Sequence, residues 1–229
     1  MILGLLQLSS PTLPLGAYSY SEGLETLVER GAIADDDSLF YWLLQELQIG
    51  AVRMEAAVMV RAFRGFKKRD FSGLSTWNKW LSAAKETSEL RQQSWQMGNS
   101  LWGLLLELES VSEAANSDSP LKVALTTIGK PCNYAIAFGV GAANWNLDEK
   151  MALLGYLQSW TSHAIGAGVK LIPLGQTVGQ KLLFKSNKTI AEVAEEILLL
   201  KDDDLASCSW GLSLASMAHE VQYTRLFRS

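Results

Sequence analysis

Histidine and cysteine are scarce in this chain, which has two of each among its 229 residues. Multi-metal sites usually need a cluster of histidine and carboxylate ligands, and His163 and His219 are too few to build one. Cys132 and Cys208 cannot make a disulfide framework, and such low cysteine use is typical of a reducing compartment. Both cysteines and His163 are interpreted as buried packing residues, and His219 as a satisfied polar contact. We therefore expect no metal site and no cofactor.

Motifs of common catalytic sites are also missing. The sequence has no Gly-x-Ser-x-Gly nucleophile elbow. It has no Gly-x-x-x-x-Gly-Lys-Ser/Thr loop either, so the chain is not itself a P-loop GTPase. Gly175–Gln180 contains two glycines but does not follow a strand pattern, which indicates a turn between helices. The sequence thus predicts a protein that is not an enzyme.

Charge and hydropathy argue against two classes of partner. The formal net charge is −4, from 20 Lys and Arg against 24 Asp and Glu, which disfavours nucleic acid as the main ligand. The apolar residues 1–8 lack the basic region of a secretory signal. No uninterrupted run reaches the ~20 apolar residues that a membrane span needs. We expect a cytoplasmic protein that binds neither nucleic acid nor membrane.

Proline is rare, with five residues, and none lies between positions 15 and 119, which permits long helices there. Leu90, Met97, Leu101 and Leu108 form one stripe at helical spacing. A second stripe from Phe40 to Ala62 predicts one deeply buried helix, and a capping-box pattern at Thr189–Glu192 predicts a helix start. Strand alternation and hairpin turns are absent. The sequence predicts an all-α, single-domain bundle of about eight to ten helices over residues 1–229.

Both ends of this domain have unusual composition. Pro11 and Pro14 punctuate an N-terminal arm, about residues 1–17, which we expect to be extended and flexible. The C-terminal tail, about residues 221–229, places two arginines around Leu226 and Phe227, whereas a free tail is usually polar and frayed. Two interpretations stay open for these apolar residues. They dock on the protein's own core, or Phe227 anchors a tail that orders on a partner.

Four segments resemble the urease accessory protein F family, in the family's order. The N-terminal segment reads Leu-Ser-Ser-Pro-Thr-Leu-Pro-Leu-Gly-Ala-Tyr-Ser-Tyr-Ser-Glu-Gly-Leu-Glu over residues 8–25. The second runs from Glu89-Leu90-Arg91 to Met97-Gly98, and the third is residues 171–180 with its Pro-Leu-Gly-Gln and Gly-Gln pairs. The last begins at His219-Glu220 and ends with Arg225-Leu226-Phe227-Arg228-Ser229. Four blocks in order are far more specific than any one of them.

The resemblance implies an all-helical, non-catalytic chaperone that forms a homodimer and acts in maturation of the nickel enzyme urease. Family members bind the accessory protein called D, or H in some systems, and with it recruit the GTPase called G. The assembly docks on apo-urease, and GTP hydrolysis is coupled to nickel insertion. Regulation of the GTPase by the F protein is a further role that the resemblance suggests.

The resemblance also implies two sets of partner-binding residues. Arg225, Leu226, Phe227 and Arg228 are expected to contact the D/H protein, and the tail is expected to order on binding. A second set is expected to face the GTPase or the dimer mate; its members are Tyr18, Ser19, Tyr20, Glu22, Lys170, Gln176 and Gln180. If the protein stimulates the GTPase with a basic residue, Arg91 and Lys170 are the candidates.

Other functions stay open at this point. A stand-alone helical metal-delivery protein or enzyme predicts tight nickel binding or turnover by the isolated chain. A generic helical interaction module unrelated to urease is a third possibility, which the four ordered blocks disfavour.

Overall fold

The computed structural model describes residues 2–111 and 119–229. These residues form eleven α-helices and two short 3-10 turns, and the described part of the chain contains no strand. The helices are α1 (Ile2–Leu8), α2 (Leu24–Glu29), α3 (Asp36–Ile49), α4 (Ala51–Lys67), α5 (Phe71–Ala84), α6 (Ser88–Val111), α7 (Pro120–Ile128), α8 (Tyr134–Asn144), α9 (Glu149–Leu171), α10 (Gln176–Leu199) and α11 (Trp210–His219). The predicted all-α class is confirmed, with slightly more helices than expected.

Helices α4 and α8 form the centre of the bundle and pack along each other over most of their length. Small residues make this close approach possible: a Cβ on Gly139 would lie 2.4 Å from the carbonyl oxygen of Met59. Every residue of α8 from Ala135 to Ala143 is buried. Helix α6 covers the other side of α8, and the predicted stripe of α6 is confirmed, since Leu90, Met97 and Leu101 are buried.

A second buried cluster lies between α2, α3, α9 and α10, next to the central one. Leu24, Leu39, Ile165 and Leu182 belong to it. Phe227, from the far end of the sequence, completes it and is only 6% exposed. This cluster therefore fixes the tail against α2, α3, α9 and α10.

Three sequence-based expectations about helix boundaries are wrong. The stripe from Phe40 to Ala62 is divided between α3 and α4, because the backbone at Gly50 is extended (φ −85°, ψ −175°). Residues 176–180 are not a turn, since α10 begins at Gln176. Helix α10 also continues through Thr189 instead of starting there. In the N-terminal arm, Ile2–Leu8 is helical rather than extended; whether the two ends are flexible stays a prediction.

Candidate partner-binding site

The C-terminal tail lies against the segment that precedes α2. The backbone N–H of Arg228 donates to the carbonyl oxygen of Ser19 at 2.8 Å, and the N–H of Ser21 donates to the backbone oxygen of Ser229 at 2.6 Å. The hydroxyl of Ser21 donates to that same oxygen at 2.7 Å. The first and last of the four sequence blocks therefore form one structural unit.

The carboxylate of Glu25 binds the tail through its backbone. It accepts the N–H of Leu226 at 2.6 Å and the N–H of Phe227 at 2.9 Å. The Phe227 ring is buried, with the ammonium of Lys170 5.6 Å from its centre, whereas Leu226 is 65% exposed. Of the two interpretations of the tail, docking on the protein's own core holds for Phe227 and not for Leu226.

His219 links the tail to α2 and α6. Its Nδ1 lies 2.8 Å from a carboxylate oxygen of Glu89, and its Nε2 lies 3.3 Å from one of Glu25. The other oxygen of Glu89 accepts from Arg225 at 2.8 Å. The His219 side chain is fully buried. The prediction of a satisfied polar contact for His219 is confirmed, and the contact joins three separate helices.

Tyr20 is buried and Glu22 is half-buried, with the polar groups of both bonded within the fold, although the resemblance implies that both face a partner. Burial raises the pKa of Tyr20, and its hydrogen bond to Arg228 opposes that rise. Glu22 accepts from Gln93 at 2.8 Å and from the Trp160 indole at 2.9 Å. These polar partners lie within the fold, which explains why a conspicuously polar segment turns inward.

Glu22 lines a small cavity of about 50 Å³ between the N-terminal segment, α4, α6 and α9. The buried Lys85 ammonium pairs with the Glu55 carboxylate in its wall. Burial, and then the charge of Glu55, raise the pKa of Glu22. Glu22 also has a left-handed backbone (φ 56°), which is uncommon for a residue other than glycine. The space is sufficient for a few water molecules.

Arg91, a candidate for contacting the GTPase, is used within the fold. Its guanidinium donates to the carbonyl oxygens of Ser82 and Lys85, both at 2.9 Å. These carbonyls lie at the end of α5, where a helix leaves backbone acceptors without intrahelical partners. Arg91 therefore joins α5 to α6, and its donors face the protein.

The remaining predicted residues converge on the surface. Tyr18, Ser19, Lys170, Leu226 and Arg228 line a shallow groove of about 270 Å³ whose wall includes the edge of Phe227. The structure thus brings members of both predicted sets, one for the D/H protein and one for the GTPase or dimer mate, into a single groove. Gln176 and Gln180 are exposed on the first turns of α10, which follows α9 and Lys170 in the sequence.

The outer face of α11 is an apolar stripe that the sequence reasoning missed. Trp210 is 77% exposed, Leu214 62%, Met217 48% and Val221 85%. The spacings of four and three residues place Trp210, Leu214 and Met217 on one side of the helix, opposite the buried Leu212, Ala215 and His219, and Val221 follows in the turn after the helix ends. The spacing was visible in the sequence, but it does not tell which of two apolar faces is buried.

Comparison with known proteins shows which family the chain resembles. A family model described as UreF matches residues 33–187. The chain belongs to the UreF family. It is 56% identical to the "Urease accessory protein UreF" of Nostoc sp. over 228 residues, which cover 99% of this chain and 95% of the relative. A protein of the same name from Synechocystis sp. is 54% identical, covering 99% and 97%, and one from Alkalilimnicola ehrlichii is 37% identical, covering 97% and 93%.

The UreF relatives match nearly the whole chain, whereas the family model stops before the tail. The resemblance seen in the four sequence blocks is therefore confirmed at the level of the family. Among residues 2–111 and 119–229, no group of three or more His, Cys, Asp and Glu side chains is arranged to hold a metal ion. In the same residues, no helix has the length and apolar character of a membrane span.

The two cysteines of the chain differ in exposure. Cys132 is fully buried, and burial raises the pKa of its thiol to about 12. Cys208 is exposed, so the expectation that both are buried hydrophobes is wrong for the second. It lies in the segment before α11, where its backbone N–H donates to the carbonyl of Ile49 at 2.8 Å. The backbone, rather than the thiol, connects this residue to the core.

Proposed function

We propose that this chain is a non-catalytic scaffold of urease maturation, acting in the cytoplasm. It binds the D/H accessory protein and the G GTPase, and the assembly prepares apo-urease for nickel insertion. Near-full-length similarity to proteins named urease accessory protein UreF is the observation that carries the proposal. The exposed groove and the apolar stripe on α11 supply the kind of surface that a scaffold needs.

The D/H protein binds the outer face of α11 together with the docked tail. Trp210, Leu214 and Met217 offer an apolar core for such an interface, and Arg225 donates to the carbonyl oxygen of Glu220 at the end of α11. Leu226 contacts the partner directly. Phe227 contributes indirectly, because its burial in the core holds Leu226 and Arg228 in place.

The GTPase binds the surface formed by Tyr18, Ser19, Lys170, Gln176 and Gln180. Lys170 is the basic residue of this set that is exposed to a partner, whereas Arg91 is occupied by the carbonyls of α5. Any stimulation of GTP hydrolysis by a basic side chain would therefore come from Lys170 or from residues outside the predicted set.

The homodimer forms through α1. Ile2, Leu3 and Leu6 are 68%, 77% and 61% exposed, and Met151 on the neighbouring α9 is 44% exposed. Helix α1 has no charged residue. Two copies of α1 can therefore pack against each other about a two-fold axis without bringing like charges of this helix together.

Binding of the purified D/H protein tests the proposal. We expect the wild-type chain to retain D/H on an affinity resin, and Leu214→Asp to lose at least about tenfold in affinity, because the aspartate would be desolvated in an apolar interface. Leu199→Asp is the matched control, since Leu199 is also 82% exposed but lies at the end of α10. Truncation after Thr224 should weaken binding as well. Failure of the wild-type chain to bind D/H would refute the scaffold function.

A further inference from the structure

Helix α10 has its charges divided between its two halves. Lys181, Lys185 and Lys188 lie in the first part, and no Asp or Glu occurs between Gln176 and Ala191. The second part contains Glu192, Glu195 and Glu196. The chain as a whole is acidic, with a net charge of −4. The first half of α10 is therefore a local basic surface on an acidic protein.

An exposed aromatic residue lies in the middle of this basic surface. Phe184 is 79% exposed, while Leu182, Ser186 and Ile190 on the opposite side of α10 are buried. Lys181 precedes Phe184 by three residues and Lys188 follows it by four, so the three side chains share one side of the helix. Phe184 thus contributes almost nothing to the core.

Helix stability does not account for this arrangement. The helix dipole favours acidic residues near the N-terminus and basic residues near the C-terminus, which is the reverse of the order in α10. Lys185 lies against the Phe40 ring at 5.6 Å, and Lys188 lies 3.8 Å from Glu192 in a highly exposed pair of small energetic value. No described carboxylate lies within ion-pair distance of Lys181. These side chains are available to a partner.

The basic surface continues the proposed GTPase surface along α10. Gln176, Gln180 and Phe184 follow one another at intervals of four residues, and all three are exposed. Lys170, in the last turn of α9, is a further exposed positive charge six residues before Gln176 in the sequence. A partner seated on Lys170 and Gln176 would therefore reach Phe184 along a straight helix face.

We propose that Gln180, Lys181, Phe184 and Lys188, hereafter the α10 face, bind an acidic surface of the GTPase. The carboxylates of that surface pair with Lys181 and Lys188, and Phe184 enters an apolar pocket between them. An aromatic side chain surrounded by complementary charges is a common arrangement at the centre of protein interfaces. The proposal rests on the proposed function, because it extends the surface at which the GTPase binds.

The test measures the affinity of the purified GTP-bound GTPase for the complex of this chain with the D/H protein. Phe184→Ala should weaken binding at least tenfold, as expected for an aromatic anchor. The double variant Lys181→Glu with Lys188→Glu should do the same. It should also flatten the salt dependence of the affinity, because its charges no longer attract the partner. The variants Lys181→Gln and Lys188→Gln, which leave no like-charge repulsion, should give a smaller loss in the same direction.

Two matched controls accompany these variants. Lys68→Glu with Lys79→Glu changes two exposed lysines, one just after α4 and one within α5, and Leu199→Ala changes an exposed apolar residue at the other end of α10. Both should leave GTPase affinity unchanged. Thermal unfolding of every variant should match the wild type, since the altered side chains are exposed.

Each other outcome overturns the inference in a distinguishable way. If the wild-type complex fails to bind the GTPase, the proposed function fails, and the inference with it. If the wild type binds and the α10 variants bind equally well, only the inference fails. A loss of D/H affinity instead of GTPase affinity assigns the α10 face to D/H. The wild type could also bind anionic phospholipid vesicles. If Lys181→Glu with Lys188→Glu abolishes that binding and leaves GTPase affinity unchanged, the α10 face is assigned to a membrane surface.

Discussion

The carboxylate of Glu25 accepts the backbone N–H of Phe227 at 2.9 Å, across 202 residues of sequence. The same side chain accepts the N–H of Leu226, so one acidic residue of α2 fixes the position of the tail. Every tail residue other than proline offers a backbone N–H, whatever its side chain. The position of the tail therefore depends on the Glu25 carboxylate as well as on the side chains of the tail.

Replacing Glu25 with glutamine should loosen the tail. The amide keeps the size of the carboxylate, but it has one acceptor oxygen instead of two and adds donors beside two N–H groups. We expect a loss of about 1–3 kcal/mol in the free energy of unfolding, as for a buried hydrogen bond to a charged group. Hydrogen exchange at the Leu226 and Phe227 amides should be faster. Glu29→Gln, at the exposed end of α2, is the control, and unchanged exchange in Glu25→Gln would contradict the docking of the tail.

Glu46 should make stability depend on pH. Burial, and then the nearby charge of Glu22, raise the pKa of its carboxyl from 4.5 to about 7 in the folded protein. Between these values the folded state binds a proton that the unfolded state lacks, so stability falls as pH rises. Glu46→Gln cannot ionise and lacks this pH dependence. As pH rises from about 5 to about 8, its free energy of unfolding should increase relative to that of the wild type, by up to roughly 3 kcal/mol.

Chemical denaturation of both proteins across this range measures the effect. Glu22, whose pKa is raised in the same direction, stays in both proteins, so the difference between them reports Glu46 together with its interaction with Glu22. A constant difference between the two proteins at all pH values would contradict the burial of an ionisable Glu46.

Arg91 should matter for stability and not for GTP hydrolysis. Arg91→Ala leaves the carbonyls of Ser82 and Lys85 without their donor, which should cost about 1–3 kcal/mol of unfolding free energy. The hydrolysis rate of the assembled complex, normalised to folded protein, should not change. Arg30→Ala, an exposed arginine after α2, is the control. A loss of hydrolysis at unchanged stability would show that Arg91 contacts the GTPase after all.

The α1 patch should determine the oligomeric state. Leu3→Asp combined with Leu6→Asp places two charges in the proposed two-fold interface, and the chain should become monomeric at concentrations where the wild type is a dimer. Light scattering after size-exclusion chromatography gives the mass directly. The control is Phe184→Asp, which lies on α10 and should leave the mass unchanged. A wild-type monomer, or a dimer that survives both charges, would refute an α1 interface.

The helical periodicity of the sequence was sufficient to predict the fold class. Leu90, Met97 and Leu101 lie buried on α6 as their spacing indicates. The break at Gly50 was missed because a single glycine within an apolar stripe is compatible with a continuous helix. Its decisive feature is spatial: a Cβ at Gly50 would lie 2.1 Å from a carboxylate oxygen of Glu46.

The candidate site was predictable only in part. The sequence indicated which segments matter, but not that the tail and the N-terminal segment pair, since Ser21 and Ser229 are far apart in the chain. The resemblance to the family also implied that Glu22 faces a partner. Gln93 and Trp160, which come from two other helices, donate hydrogen bonds to Glu22 and turn its carboxylate inward. Such contacts depend on tertiary structure that local patterns do not contain.

Assembly of the three accessory components tests the central claim most directly. The D/H protein and the GTP-bound GTPase should be mixed with and without this chain and analysed by size-exclusion chromatography with light scattering. We predict one complex that contains all three components when the chain is present, and separate D/H and GTPase peaks without it. Association of D/H with the GTPase in the absence of this chain, or a chain that elutes with neither, would contradict its role as a scaffold.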